Sequence, residues 1–498
     1  MIMHKKLLGL IGLIGLIGLI GLIIATQVLW ALLPVARATA QDAGAGPDFA
    51  VIDAYVEAEM RANRVPGVGL AIVHGSQIVH MRGFGDDGAG QPVTPQTSFL
   101  LGSMSKAFTA LAVMQLVEQG RVDLDAPVQR YLPWFQVADA GASPLITVRH
   151  ALHHTTGLAT RTAHASEAPL SIAAHVRVLA GASLAHPPGA VHEYASPNYL
   201  VLGAIIEQVA GQPYADYIEQ QIFAPLAMQR SFTAQDAAMQ RGMARGHRYW
   251  FGFPRPIVGT HEADRLPTAA LIASAEDLGH FLIMQLGRGQ YGGHVLLSPD
   301  SLAQMHTAGV QGEGFGYGMG WRISEIGGVP AVHHGGVVSH FRGKMVLLPG
   351  ADWGVVVLTN VSSALPVGST AHRLADNIAA NLVGKPLPPA DPSLSRVYLA
   401  LALAVAVLTW LQIRDILRLG QWRQRLSLRP RRAVLAELAR EFLIPLALVL
   451  GLPHFLELPW TEVLHWLPDI GAWMVLAIVV GWAVAIFKSI VFYRLRSP

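Results

Sequence analysis

Phe99-Leu100-Leu101-Gly102-Ser103-Met104-Ser105-Lys106-Ala107-Phe108-Thr109 passes through a glycine into a segment that reads as helix from Ser103 to Gln119 and stops at Gly120. The segment is apolar nearly all round, so this helix belongs inside a domain rather than on its surface. At i and i+3, Ser103 and Lys106 share a helix face, and the amine can reach the hydroxyl. A serine at a helix N-terminus aims its own N–H at a developing anion, and the positive end of the dipole favours both that anion and an uncharged amine. Attack on an acyl carbon needs such a base, donors for the oxyanion and a proton source for the leaving group. The ordinary reading of Ser-x-x-Lys is a helix cap followed by a solvent-facing lysine. Composition speaks against it here: Lys106 is the only lysine between Lys6 and Lys344, in a chain that otherwise uses Arg. Arginine does not lose its proton, whereas a desolvated lysine can.

Upstream of this helix, residues 68–73 and 77–81 are short alternating runs around His74-Gly75-Ser76 and predict a β-hairpin. Downstream, the chain to about Leu296 is mostly helical with long loops. Residues 318–323, 329–333, 341–348 and 354–358 then read as consecutive strands between Gly- and Pro-containing turns, with a helix near 371–382. Strands at both ends of a helical insert predict one α+β domain, residues 41–385, whose sheet joins its two termini.

At 498 residues the chain is longer than one core usually fills. A hydrophobic fraction of 52%, a charged fraction of 14% and a mean hydropathy of +0.39 are too apolar for a wholly soluble protein of this size. The formal net charge is only +3, and much of the excess sits in an Arg-rich stretch near the C-terminus, which argues against a nucleic-acid-binding face. The absence of cysteine removes disulfides, thiol nucleophiles and thiolate metal sites together. His4, Lys5 and Lys6 precede an apolar run over 7–33 and then Ala38-Thr39-Ala40, so residues 1–40 read as an export signal or an uncleaved anchor. After a Pro-rich linker, 386–396, three apolar runs at 397–413, 441–458 and 471–487 predict membrane spans. The second is short and carries Pro445 and Pro453. An Arg-rich loop, 414–440, lies between the first two runs, and Glu457, at the end of the second, with Glu462 and Asp469 gives an acidic stretch before the third. The positive-inside rule then places the globular domain outside, the Arg-rich loop and tail inside.

The Phe99–Thr109 stretch, with Thr94-Pro95 before it, resembles the nucleophile segment of the serine β-lactamase, D,D-peptidase and esterase superfamily, of the class C type. Leu124-Asp125-Ala126-Pro127-Val128, Ile146-Thr147-Val148-Arg149-His150, His154-Thr155-Thr156-Gly157-Leu158 and Ser274-Ala275-Glu276-Asp277-Leu278 follow in the family's order, and the similarity covers roughly residues 50–385. The resemblance implies a β-lactamase/transpeptidase-like α+β fold: an antiparallel sheet flanked by helices, with a helical insert, here with added transmembrane helices. Tyr194-Ala195-Ser196 stands at the family's Tyr-x-Asn, which implies Tyr194 as the proton shuttle. Ser196 puts a short hydroxyl where an amide that both donates and accepts is expected, so substrate-amide recognition differs there; Asn198 is a spatial alternative. His334-Gly335-Gly336 matches the His-x-Gly of the family's esterases and aminopeptidases. Paired glycines let a substrate backbone lie along the strand, and the Val337 N–H then completes an oxyanion hole with that of Ser103. His333 should point to the opposite face of the strand.

No Gly-x-Ser-x-Gly elbow supports an α/β-hydrolase. The 21 histidines include His150 and His154 at i, i+4, but no His-Glu-x-x-His occurs and no acid sits at ligand spacing, so no metal or cofactor is expected. The expected chemistry is acyl transfer to water through an acyl-serine, Lys106 the base and Tyr194 the relay, at the outer face of a membrane. Expected partners are a small-molecule or peptide substrate and membrane lipid. His-x-Gly with Ser196 favours an ester, amide or D-amino-acid peptide over efficient β-lactam hydrolysis. The alternative is a cell-wall or β-lactam sensor that is acylated, or only binds, and signals through its spans.

Overall fold

The computed structural model describes residues 46–159, 171–257, 265–312, 314–363, 369–456 and 459–496. The segment read as an export signal lies outside them. After helix α1 (Phe49–Asn63), strands β1 (Gly67–His74) and β2 (Gln77–Gly85) form an antiparallel hairpin whose turn passes through Gly75 at φ 57°. β1, expected to alternate, is instead buried from Gly67 to Val73, as a central strand covered on both faces is, whereas β2 is largely half-buried or exposed, as an edge strand is.

Six strands from the C-terminal half complete the sheet: β3 (Val310–Gly312), β4 (Phe315–Tyr317), β5 (Arg322–Ile326), β6 (Val329–Val337), β7 (Arg342–Leu348) and β8 (Trp353–Thr359). The order is β2-β1-β8-β7-β6-β5-β4-β3, antiparallel throughout. The β1–β8 pairing, Val68 opposite Thr359 through His74 opposite Trp353, joins the two ends of the domain. The strand expected over 318–323 is a turn followed by β5. Gly320, at φ 77°, packs against the backbone of Lys106 and Ala107, and a straight strand there would run into that helix.

Both sheet faces are covered. On one, α1 and α5 (Thr370–Leu382) bury Ile52, Val56, Leu70, Val355, Leu374 and Ile378 in one core. On the other lie α2 (Ser105–Glu118), α3 (Pro197–Ala210) and α4 (Ala275–Leu286), with Phe108, Leu111, Ile205, Phe281 and Val356 in a second core. α2 is buried from Ser105 to Met114, which explains its apolar girth; each large aliphatic or aromatic side chain so buried contributes about 1.5–3 kcal/mol.

Three long helices follow: α6 (Ser393–Leu417), α7 (Arg431–Leu456) and α8 (Pro468–Arg496). By length and composition, α6 over Ser393–Leu417 and α8 over Pro468–Leu495 can cross a membrane. α7, with Pro445 and Pro453 inside it, does not meet that test. The Arg-rich stretch that connects the first two apolar runs is largely helical: α6 runs through Leu417, a short helix spans Leu419–Gln424, and α7 starts at Arg431. Arginine is a good helix former, and Glu437 fixes the corner by accepting from Trp422 Nε1 at 3.1 Å and pairing with Arg429 at 2.6 Å. The Pro-rich stretch before α6 is pinned as well. Buried Glu59 accepts from the Asp391 N–H at 3.0 Å and pairs with Arg373 at 2.7 Å, while Asn63 Nδ2 donates to the Asp391 carbonyl.

Candidate active site

Gly102 opens the nucleophile turn at φ 58°, a conformation that favours glycine, and a Cβ there would lie 2.6 Å from the backbone nitrogen of Val337. The turn is therefore pressed against the end of β6. Residues Gly102–Met104 form one 3₁₀ turn that leads into α2. Ser103 is half-buried at the mouth, and Lys106 is wholly buried beneath it. Lys106 Nζ lies 3.1 Å from Ser103 Oγ and donates to the Thr268 carbonyl at 2.9 Å. That carbonyl is held in place from two sides: Thr109 Oγ1 donates to the Pro267 carbonyl at 2.7 Å, and the Leu271 N–H donates to Ser105 Oγ at 3.2 Å. No carboxylate pairs with Lys106 among the described residues.

Tyr194 faces the lysine, its ring centroid 5.1 Å from Nζ, with the Tyr199 ring at 5.8 Å. The Tyr194 hydroxyl is buried and has no hydrogen-bond partner among the described residues, so the structure does not join it to Ser103 or Lys106 by a hydrogen bond. Ser196, half-buried, precedes α3 and its side chain makes no cap bond. Asn198 does not replace the missing amide: it is fully buried, accepts from Thr156 Oγ1 at 2.6 Å and reaches His154 Nδ1 at 3.1 Å.

β6 brings His334, Gly335 and Gly336 past the nucleophile turn. His334 Nδ1 is 2.8 Å from the Gly335 carbonyl, which can only accept, so Nδ1 carries the proton and Nε2 accepts from Tyr317 Oη at 3.3 Å. Burial, then the charges of Arg322 and Lys106, hold His334 well below the usual imidazole range and keep it neutral. His333 points away, pairs with Ser324 Oγ at 3.0 Å, and is pushed down to about 3, chiefly by burial.

Three further side chains complete the wall: His154, noted in sequence only within the family-like stretch and as an unsupported metal ligand, and Tyr317 and Arg322, not singled out there. His154, at φ 57°, is fully buried; its Nδ1 accepts from the Ala195 N–H at 3.2 Å, which leaves a buried Nε2 without a partner beside the Tyr194 ring, 4.3 Å between centroids. Burial, then Lys106, push it well below the usual imidazole range. Tyr317 is fully buried between His154 and His334. Arg322, on β5, places its guanidinium 5.8 Å from the Tyr194 ring and 4.5 Å from that of Phe315, with Nε unpartnered. The left-handed φ of His154 was invisible in sequence, and Arg322 and Tyr317 reach the site only through the turn that replaces the expected strand.

A nucleophile turn at the head of a buried helix, backed by the glycine-paired edge of an antiparallel sheet, is the architecture of the active-site serine hydrolases of β-lactamase fold. The chain belongs to the beta-lactamase family, whose model matches residues 52–380. It is similar to "Penicillin-binding protein 4" of Amycolatopsis lactamdurans, 30% identical over 344 residues that cover 66% of this chain and 90% of that one. It is also similar to "Protein flp" of Staphylococcus aureus (strain COL), 28% identical over 436 residues, 84% of this chain and 85% of that one. Among solved structures, "EstCE1, a hydrolase with promiscuous acyltransferase activity" is 25% identical with a TM-score of 0.57, covering 66% of this chain and 97% of that one.

Proposed function

We propose that this protein hydrolyses an ester, amide or D-amino-acid peptide through an acyl-serine on Ser103. The observation that carries this is the 3.1 Å approach of Lys106 Nζ to Ser103 Oγ, in a family of serine hydrolases. In the reactive form the hydroxyl donates to the uncharged amine; Lys106 takes the proton as Oγ attacks the acyl carbon. The oxyanion is received by the N–H groups of Ser103 and Val337, and the proton passes to the leaving group with Tyr194 as relay. Water then enters by the reverse sequence and frees the serine. Neutral His334, with its proton fixed on Nδ1, lends Tyr317 a set orientation and no charge. The Arg322 guanidinium at the mouth supports a substrate that carries a carboxylate. Apolar helices α6 and α8 support a domain held at a membrane, and the charge pattern read from the sequence supports its outer face. Full-length protein should be acylated by a fluorophosphonate probe, and the mass adduct should vanish in Ser103→Ala; an adduct that persists in that variant overturns the assignment.

A further inference from the structure

On the sheet face turned away from Ser103, a small pocket open to solvent lies between β7, the first turn of α5 and the base of α6, lined in part by Arg342, Ser362, Thr370, Tyr249 and Leu394. Strand alternation fixes the side. A Cβ on Gly343 would meet Met104, behind the nucleophile, so Arg342 points the other way, as does Lys344, whose Nζ lies 2.5 Å from Asp376 Oδ1 on α5. Lys344 thus has its carboxylate. Arg342 has neither ion pair nor side-chain hydrogen bond among the described residues, and its Nε is buried without a partner. Burial pushes its guanidinium down to about 10, and the ionisable groups that act on it are the phenols of Tyr249 and Tyr398. Asp469, the carboxylate at this corner, is already occupied by the N–H groups of Phe251 and Ile470.

Other donors in the wall stand idle too. Ser362 and Thr370 are 4% and 6% exposed, and neither hydroxyl has a partner among the described residues. Thr370 begins the 13-residue α5, whose N-cap Ser369 accepts from the His372 N–H and leaves other first-turn N–H groups at the positive end of the helix. Buried polar groups are normally hydrogen-bonded and buried charges paired, so a guanidinium, two hydroxyls and a helix terminus turned on one pocket describe a receptor for an anion.

We propose that this pocket binds a phosphate group, held by the Arg342 guanidinium, the Ser362 and Thr370 hydroxyls and the N-terminus of α5. Donors on several sides suit the oxygens of a tetrahedral anion better than the two coplanar oxygens of a carboxylate. Leu394 in the wall is the second residue of α6, so a phospholipid headgroup and a free phosphate ester are the two sources of that chemistry.

The test is thermal unfolding of the full-length protein in maltoside micelles, which carry no phosphate group, inorganic phosphate against chloride at equal ionic strength. A saturable rise in Tm is expected, lost in Arg342→Met and weakened about tenfold or more in Arg342→Lys, which keeps the charge but not the fork. Ser362→Ala with Thr370→Val should weaken it similarly while near-UV circular dichroism stays unchanged, so that misfolding is not mistaken for lost binding. Phosphatidylglycerol nanodiscs that raise Tm without added phosphate, and only when Arg342 is present, identify the headgroup as occupant; an undiminished phosphate response in them identifies a soluble ester. No phosphate response in the micelles, or one unchanged in Arg342→Met and the double variant, overturns the proposal.

Discussion

A Cβ on Gly336 would overlap the carbonyl oxygen of Leu101, so β6 and the turn that carries Ser103 meet backbone to backbone. Gly336→Ala must push them apart. We expect a loss of about 1–3 kcal/mol in urea unfolding from the forced separation. Misalignment of one oxyanion donor adds a fall of about 10²–10³ in the rate of probe acylation. Wild-type acylation in this variant would show that the two N–H groups do not act as a pair.

Lys106→Met removes the amine but keeps an apolar stem of similar length in a fully buried place. Acylation of Ser103 should slow by about 10²–10⁴, the range for a positioned base. The melting temperature should hold or rise, because a buried polar group gives way to an apolar one. Lys106→Arg should be as inactive as Lys106→Met, since a guanidinium cannot take the proton; full activity in it would sink the base assignment.

The Tyr194 hydroxyl is buried without a partner among the described residues. Tyr194→Phe should therefore leave the melting temperature unchanged or higher, while turnover of an amide falls by about 10²-fold or more through loss of the relay. A drop in stability with unchanged turnover would make it a packing residue.

Arg322→Gln should separate substrate classes. A D-alanyl peptide with a free carboxylate should lose about tenfold or more in kcat/KM, the worth of a charge-assisted hydrogen bond, while a neutral acyl ester changes little. Equal losses on both substrates would assign Arg322 to holding Tyr194 and Phe315 in place.

Burial pushes His306 down to about 4, and His333 and His372 down to about 3. Each folded-state value lies below the unfolded one, so the unfolded chain binds more protons as pH falls. Stability should be level above about pH 7 and decline from about pH 6.5 toward pH 4, by up to about 1.4 kcal/mol per pH unit for each histidine. Denaturation midpoints across that range provide the measure, and His306→Gln should make the decline shallower. A midpoint independent of pH from 7 to 4 would contradict these environments.

Much of the scaffold was legible because burial leaves a periodic mark. α2 is covered on every side and reads as apolar nearly all round, and the hairpin at Gly75 and the helix over Thr370–Leu382 carry ordinary local signals. The pairing of Ser103 with Lys106 was readable for the same reason, since i, i+3 spacing is local. The rest of the site is made by contacts between distant segments. Thr268 contributes only a carbonyl, His154 an unusual φ, and Arg322 a reach set by the turn at Gly320. None of these leaves a trace in residue type. The Arg-rich stretch was read only for the side of the membrane it implies, and its helical form, with a corner held by Glu437, depends on contacts between separate segments.

Glu59 clasps the Asp391 backbone, Ser395 Oγ donates to the Ala62 carbonyl, and the Ser363 hydroxyl meets that of Tyr398 at 3.2 Å, so the first apolar helix is bolted to α1 and the domain edge. A domain mounted this way sits directly on the helix, with Asp391, Ser395 and Tyr398 tied to it by hydrogen bonds. The opening above Ser103 keeps one height and one heading relative to α6, and only molecules delivered to that place are within its range.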